Sequence, residues 1–296
     1  MTRVDRRYHV LGVPLRTGSL YPGSENDARP FRDAGLVERL RAAGSAVVDD
    51  GDVAVPSFLP HHAVPPIRSW PGPRIAWDVV GERLAPLLGE PGAVPLLIGC
   101  DCSLVVGTAT ALRRAAGDDV HVLYLDGDFD DAAPDAARCQ SAAALAVWLL
   151  TDGGPFRAGP PLPASQVTVV GATGVSQSGA VRGVSLGEVR ALGPAATARR
   201  VLDAIPTSAT LLVHLDIDVF AAAEMPAAYF PHAAGLTLAE GAELLGAISR
   251  DPRLRLIEVA EYASLRDGDG RAAASLVDLL AGALGRSGSV HSAHDD

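Results

Sequence analysis

Short β-branched runs alternate with longer apolar stripes along most of this 296-residue chain. Tyr8-His9-Val10-Leu11-Gly12-Val13 reads as a first strand, and Leu36 and Leu40 mark the buried stripe of a helix over about 29–43. Ala46-Val47-Val48 is a short strand closed by Asp49-Asp50-Gly51-Asp52, and residues 56–73, rich in Pro and His, form an irregular excursion. Helices over 75–88, 104–116 and 141–150 separate strands at 94–98, 120–125 and 166–170. A helix near 195–205 precedes a strand at 211–215, and Thr237-Leu238-Ala239-Glu240 has the form of a capping box, in which hydroxyl and carboxylate satisfy each other's backbone N–H. A last strand at 255–259 and a closing helix over 271–284 complete the pattern. Such alternation predicts a three-layer α/β/α architecture, a mostly parallel sheet with helices on both faces.

Three of these strands run into unusual ends. Val120-His121-Val122-Leu123-Tyr124-Leu125 continues as Asp126-Gly127-Asp128-Phe129-Asp130, with carboxylates at alternate positions. If extended geometry persists, side chains two apart point the same way, so Asp126, Asp128 and Asp130 converge. Carboxylates so close repel, and either protons or a cation must hold them together. One acidic triplet alone also fits a solvated turn. However, Leu211-Leu212-Val213-His214-Leu215-Asp216-Ile217-Asp218 repeats the design, and the strand at 94–98 ends in Gly99-Cys100-Asp101-Cys102-Ser103. Open α/β sheets bind ligands at the carboxyl ends of their strands. Three such ends with six donors predict a two-metal site able to lower the pKa of a bound water.

Composition narrows the picture. The length suits one α/β domain over 1–285, with a polar, frayed tail at 286–296, and no Gly/Ser-rich or charged linker divides the middle. Hydrophobic residues make up 48% and the mean hydropathy is +0.20, which argues against disorder. The longest apolar run, 142–150, is too short to span a membrane, and the N-terminus has no long apolar stretch of the signal-peptide kind. A net charge of −10 argues against a nucleic-acid partner and is compatible with a small cationic substrate. Cys100, Cys102 and Cys139 read as reduced thiols of a cytoplasmic protein. The Gly-rich turns match neither the dinucleotide nor the Walker pattern.

The order and wording of the strand ends resemble the ureohydrolase (arginase/agmatinase) family. That family holds two manganese ions with a Gly-Gly-Asp-His-Ser turn, an Asp-Ala-His-x-Asp turn and an Asp-x-Asp-x-x-Asp-Pro turn. The corresponding stretches are Gly99-Cys100-Asp101-Cys102-Ser103, Asp126-Gly127-Asp128-Phe129-Asp130 and Asp216-Ile217-Asp218-Val219-Phe220. Gly12-Val13-Pro14, the segment 32–40 and Ile257-Glu258-Val259 extend the likeness over most of 8–285. The resemblance implies an arginase-like fold and one metal held by Cys102, Asp126, Asp130 and Asp216. It implies a second held by Asp126, Asp128, Asp216 and Asp218. The implied reaction is hydrolysis of a guanidino, ureido or amidino C–N bond in a small arginine-like molecule by a metal-bridging hydroxide. Asp130 would hydrogen-bond that hydroxide and Glu258 would orient the cationic group, with Glu261 on the opposite face of the strand as background. Trimers or hexamers are implied by the same analogy.

The departures matter equally. Two family histidines are replaced, one by Cys102 and one by Asp128, so a thiolate-bearing shell carries six negative charges where the family pattern has four. Cysteine shifts metal preference from manganese toward zinc or iron, while the added aspartate pulls toward hard ions. The family's His-Gly motif falls near Cys139-Gln140-Ser141, which offers no imidazole, and the Asp-Pro after the last ligand pair gives way to Phe220-Ala221. These losses leave two further readings open: a catalytically degenerate binding or partner subunit, or a metal site used for a different reaction on a modified arginine-like substrate. The family's specificity loops correspond to 131–140 and 173–182. His214, on an apolar strand, reads as a core or supporting histidine rather than a ligand.

Overall fold

The computed structural model describes residues 6–19, 23, 25–54 and 56–285; the expected tail at 286–296 lies outside them. In chain order the elements are β1 (Arg7–Gly12), α1 (Arg29–Asp33), α2 (Leu36–Ala42), β2 (Ala46–Asp52), α3 (Gly72–Gly89), β3 (Ala93–Cys100), α4 (Leu104–Ala116), β4 (Val120–Leu125), α5 (Ala146–Thr151), β5 (Val167–Val170), β6 (Arg182–Val184), α6 (Leu186–Leu192), α7 (Pro194–Asp203), β7 (Thr210–Asp216), α8 (Leu238–Ser249), β8 (Leu254–Ala260) and α9 (Arg271–Leu284). The eight strands form one sheet in the order β2-β1-β3-β8-β7-β4-β5-β6, and every pairing is parallel. The predicted three-layer α/β/α class is the observed one. Among the described residues no helix is long and apolar enough to cross a membrane.

The central strands read as near-continuous apolar runs because both sheet faces are covered. Their period-two alternation splits the interior. Leu96, Ile98, Leu123, Leu125, Val213, Leu215, Ile257 and Val259 join the core that includes α2, α8 and α9 residues. Leu97, Cys100, Val122, Tyr124, Leu212, Leu256 and Ala260 join the core with Trp77 of α3 and residues of α4 and α5. On this second face lies a polar row: Tyr124 of β4 pairs with His214 of β7, which pairs with Glu258 of β8.

Three differences from the predicted elements have local causes. The helix expected over 29–43 is two helices, because Gly35 adopts φ 79° and breaks the hydrogen-bond ladder. β6 and α6 were not expected; α6 is started by a capping box in which Ser185 and Glu188 bond reciprocally. β4 ends at Leu125, so the acidic triplet lies in a turn rather than on an extended strand. The capping box at Thr237 and Glu240 is present as expected.

α3 and α4 meet through Gly107, where a Cβ would lie 2.7 Å from Trp77 Cα and 2.8 Å from its carbonyl oxygen. Only glycine permits that approach, since backbone cannot swing aside as a flexible side chain can. Gly107→Ala is therefore expected to cost about 1–3 kcal/mol by overpacking, read as a lower urea midpoint with an unchanged m-value. An unchanged midpoint would show that the helix pair yields without cost.

Candidate metal centre

The chain ends of four adjacent strands, β3, β8, β7 and β4, meet at one cavity of about 580 Å³. Cys102, two residues beyond β3, has its thiol 2.7 Å from Asp216 Oδ2, to which it donates, and its backbone N–H donates to Glu261 Oε1 at 3.2 Å. Asp126, immediately beyond β4, accepts the Asp128 N–H on Oδ1 at 2.6 Å, and Asp216 accepts the Asp218 N–H on Oδ1 at 2.7 Å. Asp218 Oδ1 accepts the Gly127 N–H at 3.1 Å, tying the two acidic turns together. The Tyr124 hydroxyl donates to Asp130 Oδ2 at 2.7 Å, and the Tyr124 ring stacks on His214 at 4.3 Å between centroids. Two site residues, Asp130 at φ 48° and Glu261 at φ 62°, sit in the left-handed region unusual for side-chain-bearing residues. Such strain persists where the surroundings over-determine it.

All six sequence-predicted donors, Cys102, Asp126, Asp128, Asp130, Asp216 and Asp218, line this cavity. They do not converge by strand alternation as expected. Asp126 is buried just past the strand end, whereas the Asp128 side chain is 57% exposed and Asp130 returns inward through its left-handed backbone. Glu258, expected to orient the cationic group, is instead fully buried in mid-strand, accepting from Thr108 Oγ1 at 3.0 Å and lying 2.8 Å from His214 Nδ1, and does not line the cavity. The carboxylate that faces the cavity from this strand is Glu261. The available signal was position, since Glu261 follows the end of β8 as Asp126 follows the end of β4. His214 Nε2 lies 3.2 Å from Cys102 Sγ, so the His214–Glu258 pair buttresses the thiol from below.

His232 was not singled out from sequence. Its Nε2 lies 3.4 Å from Asp128 Oδ2 and 3.5 Å from Asp218 Oδ2, and these carboxylates push its pKa up to about 10. Of the two loops expected to set specificity, 131–140 brings Arg138, Cys139 and Gln140 to the cavity wall beside Ser141. The other, 173–182, is anchored behind it: Asp131 accepts hydrogen bonds from Ser176, Ser178 and the Gln177 N–H.

The arginase family model matches residues 6–285. The chain belongs to the arginase family. An arginase of Agrobacterium fabrum is 26% identical over 294 residues, covering 94% of this chain and 90% of that protein. An arginase of Entamoeba histolytica solved in complex with L-ornithine superposes with a TM-score of 0.82 at 14% identity, over 95% of this chain and 98% of that one. The proclavaminate amidino hydrolase of Streptomyces clavuligerus gives a TM-score of 0.71 at 22% identity, over 95% and 92%. This arginase-family chain is thus a ureohydrolase-like hydrolase, and its eight-stranded parallel sheet is the family's arginase-like fold.

Whether the residues present suit the family's paired metals is decided by their unmet needs. Asp126 Oδ2, Glu261 Oε2 and His232 Nε2 are buried atoms with no hydrogen-bond partner among the described residues. Burial and mutual repulsion push the Asp126, Asp130, Asp216 and Glu261 carboxyls well above the usual carboxylate range, and burial beside them pushes the Cys102 thiol up. A donor set of carboxylates, thiol and imidazole that is anionic, buried and under-satisfied fits divalent cations.

A folded carboxyl with a raised pKa keeps a proton that the unfolded chain releases near pH 4. The native state then binds more protons than the unfolded one, and stability falls as pH rises through the folded values. In chelator, the melting temperature is therefore expected to decline as pH rises above about 4. A divalent cation at a hundredfold its Kd should restore ~2.7 kcal/mol, roughly 5–10 °C. A chelated protein equally stable across that range would contradict the buried repulsion.

Proposed function

We propose that this chain hydrolyses a C–N bond of a small guanidino, ureido or amidino compound with two divalent metal ions. The observation that carries this reading is the convergence of six acidic donors and the half-satisfied Glu261 on one cavity. Cys102, Asp126, Asp130 and Asp216 would hold one ion, and Asp126, Asp128, Asp216 and Asp218 the other. Bound there, the ions supply Lewis acidity and bring the pKa of water toward neutrality.

The chain's own groups do the rest. Backbone N–H groups of Asp128 and Asp218 fix the two shared carboxylates, and Tyr124 pins Asp130 Oδ2, leaving Oδ1 to take a proton from the attacking water. Glu261 is held through Oε1 by the Cys102 N–H, which leaves Oε2 to grip the cationic group; it takes the role first expected of Glu258. A buried carboxylate with one free oxygen suits a planar guanidinium, whose N–H fork matches it. The ions are manganese by family, with zinc or iron favoured by the Cys102 thiol. That thiol must stay reduced to ligate, which supports a cytoplasmic location, and the family relation supports a homotrimer or hexamer.

The test is release of urea or ammonia from a panel of guanidino, ureido and amidino compounds by protein loaded separately with manganese, iron, zinc or nickel. Turnover on at least one compound is expected. Glu261→Gln, which keeps Oε1 as an acceptor, should lower kcat/KM at least ~100-fold, ~2.7 kcal/mol of transition-state stabilisation, without lowering the melting temperature. Metal bound without turnover on any compound would instead mark a binding or partner subunit, and a product other than the hydrolytic pair would mark a different reaction.

A further inference from the structure

We propose that His232 supplies the imidazole of the second ion, taking over from a different loop the place of the histidine that Asp128 replaces. This rests on the two-ion reading. The ring lies on the wall of the cavity beside the two acidic residues that belong to that ion alone, with Nε2 3.4 Å from Asp128 Oδ2 and 3.5 Å from Asp218 Oδ2. Nε2 is a buried atom without a hydrogen-bond partner. These separations are long for hydrogen bonds. They match roughly 3–3.5 Å between neighbouring ligands of one ion with bonds of ~2.1 Å. Asp128, Asp218 and His232 each offer an atom within 4.8 Å of the others.

The position of the ring is built, not incidental. After β7 the chain makes a return that is laid back along its own path. The Ala222 N–H donates to the His232 carbonyl at 2.7 Å, the Ala221 N–H to Leu236 at 3.0 Å, and the Leu236 N–H to Val219 at 2.8 Å. Gly235 permits this, since a Cβ there would lie 2.4 Å from Ala221 N. The return thus fixes where residue 232 enters the cavity.

The turn after β4 leaves room for it. A Cβ on Gly127 would lie 2.5 Å from His232 Cδ2 and 2.9 Å from Nε2. The family turn is Asp-Ala-His, with an alanine at this position and the ligand imidazole next; here it is Asp126-Gly127-Asp128. An alanine methyl and the His232 ring cannot share that space. A glycine at 127 is therefore the condition for the position that the His232 ring takes beside Asp128. Once the ion has displaced its proton, the imidazole adds a donor without adding negative charge to a shell already rich in anions.

The experiment is calorimetric titration of the chelator-stripped full chain with Mn²⁺ and with Zn²⁺, together with metal content after dialysis. The wild type should bind two ions per chain. His232→Ala should keep one ion with unchanged affinity, which shows that the fold is intact, and bind the second at least tenfold more weakly. Gly127→Ala should weaken the same ion by driving the ring away. The triple variant Gly127→Ala, Asp128→His, His232→Ala, which returns the imidazole to the family's position, should bind the second ion more tightly than His232→Ala alone. Two ions bound by His232→Ala with wild-type affinity, or a triple variant no better than His232→Ala, would overturn the inference while leaving the two-ion reading intact. A wild type that binds neither cation would overturn the two-ion reading itself.

Discussion

Like charges forced together in a space with little water are the constraint on which this molecule turns. Four parallel strands end side by side, and the turns that leave them bring Asp126, Asp130, Asp216, Asp218 and Glu261 to one cavity, nearly all of them buried. Burying unpaired carboxylates is costly, and the groups answer by holding protons or by holding cations. The local architecture restrains the anions without neutralising them. Backbone N–H groups, the Tyr124 hydroxyl and the Cys102 N–H each take one oxygen and leave another turned to the cavity. A cavity so lined attracts positive charge, whether a metal ion or the head of a substrate.

Beneath the site runs the row Tyr124, His214, Glu258, across β4, β7 and β8. It is polar where a sheet interior is normally apolar, and it is fully buried. Each member spends its polar atoms on a neighbour: Tyr124 on Asp130, His214 on Glu258 and Cys102, Glu258 on Thr108 of α4. Satisfied networks of this kind specify one arrangement of side chains. They hold the thiol and one carboxylate of the site from below. Glu258 thus reaches the site only by way of His214 and does not line the cavity.

How far the sequence carries one can be traced residue by residue. The buried strands, α4, α9 and the capping box at Thr237 were legible because burial on both faces, helical periodicity and reciprocal capping leave marks on adjacent residues. The acidic residues that meet at the cavity were legible because they follow strand ends in chain order. Their convergence was misread, since alternation describes a strand and β4 stops at Leu125. Glu258 was preferred to Glu261 for the same reason. Side-chain parity separates the two faces of a strand but says nothing of depth, and Glu258 lies opposite His214 in mid-sheet while Glu261 sits past the end on a left-handed backbone. His232 left no local mark. Its place depends on a return stabilised by backbone bonds between residues ten to seventeen positions apart, and on a glycine about a hundred residues earlier.

Gly127 shows how the turn at a strand mouth can make room for a side chain from a distant loop. A parallel sheet fixes the mouths of its strands, so a donor lost from one turn leaves a gap of definite position and size. Any neighbouring loop that reaches the gap with the right atom can fill it, provided the old occupant's surroundings are trimmed. Trimming here costs one methyl, since glycine at 127 makes the space that the ring of His232 occupies. Cys102 is the contrasting case. Its sulfur is backed by His214, which lies 3.2 Å away and outside the cavity. One imidazole thus stands at the cavity wall and the other behind the thiol. The fold tolerates both because neither alters the strands that set the geometry.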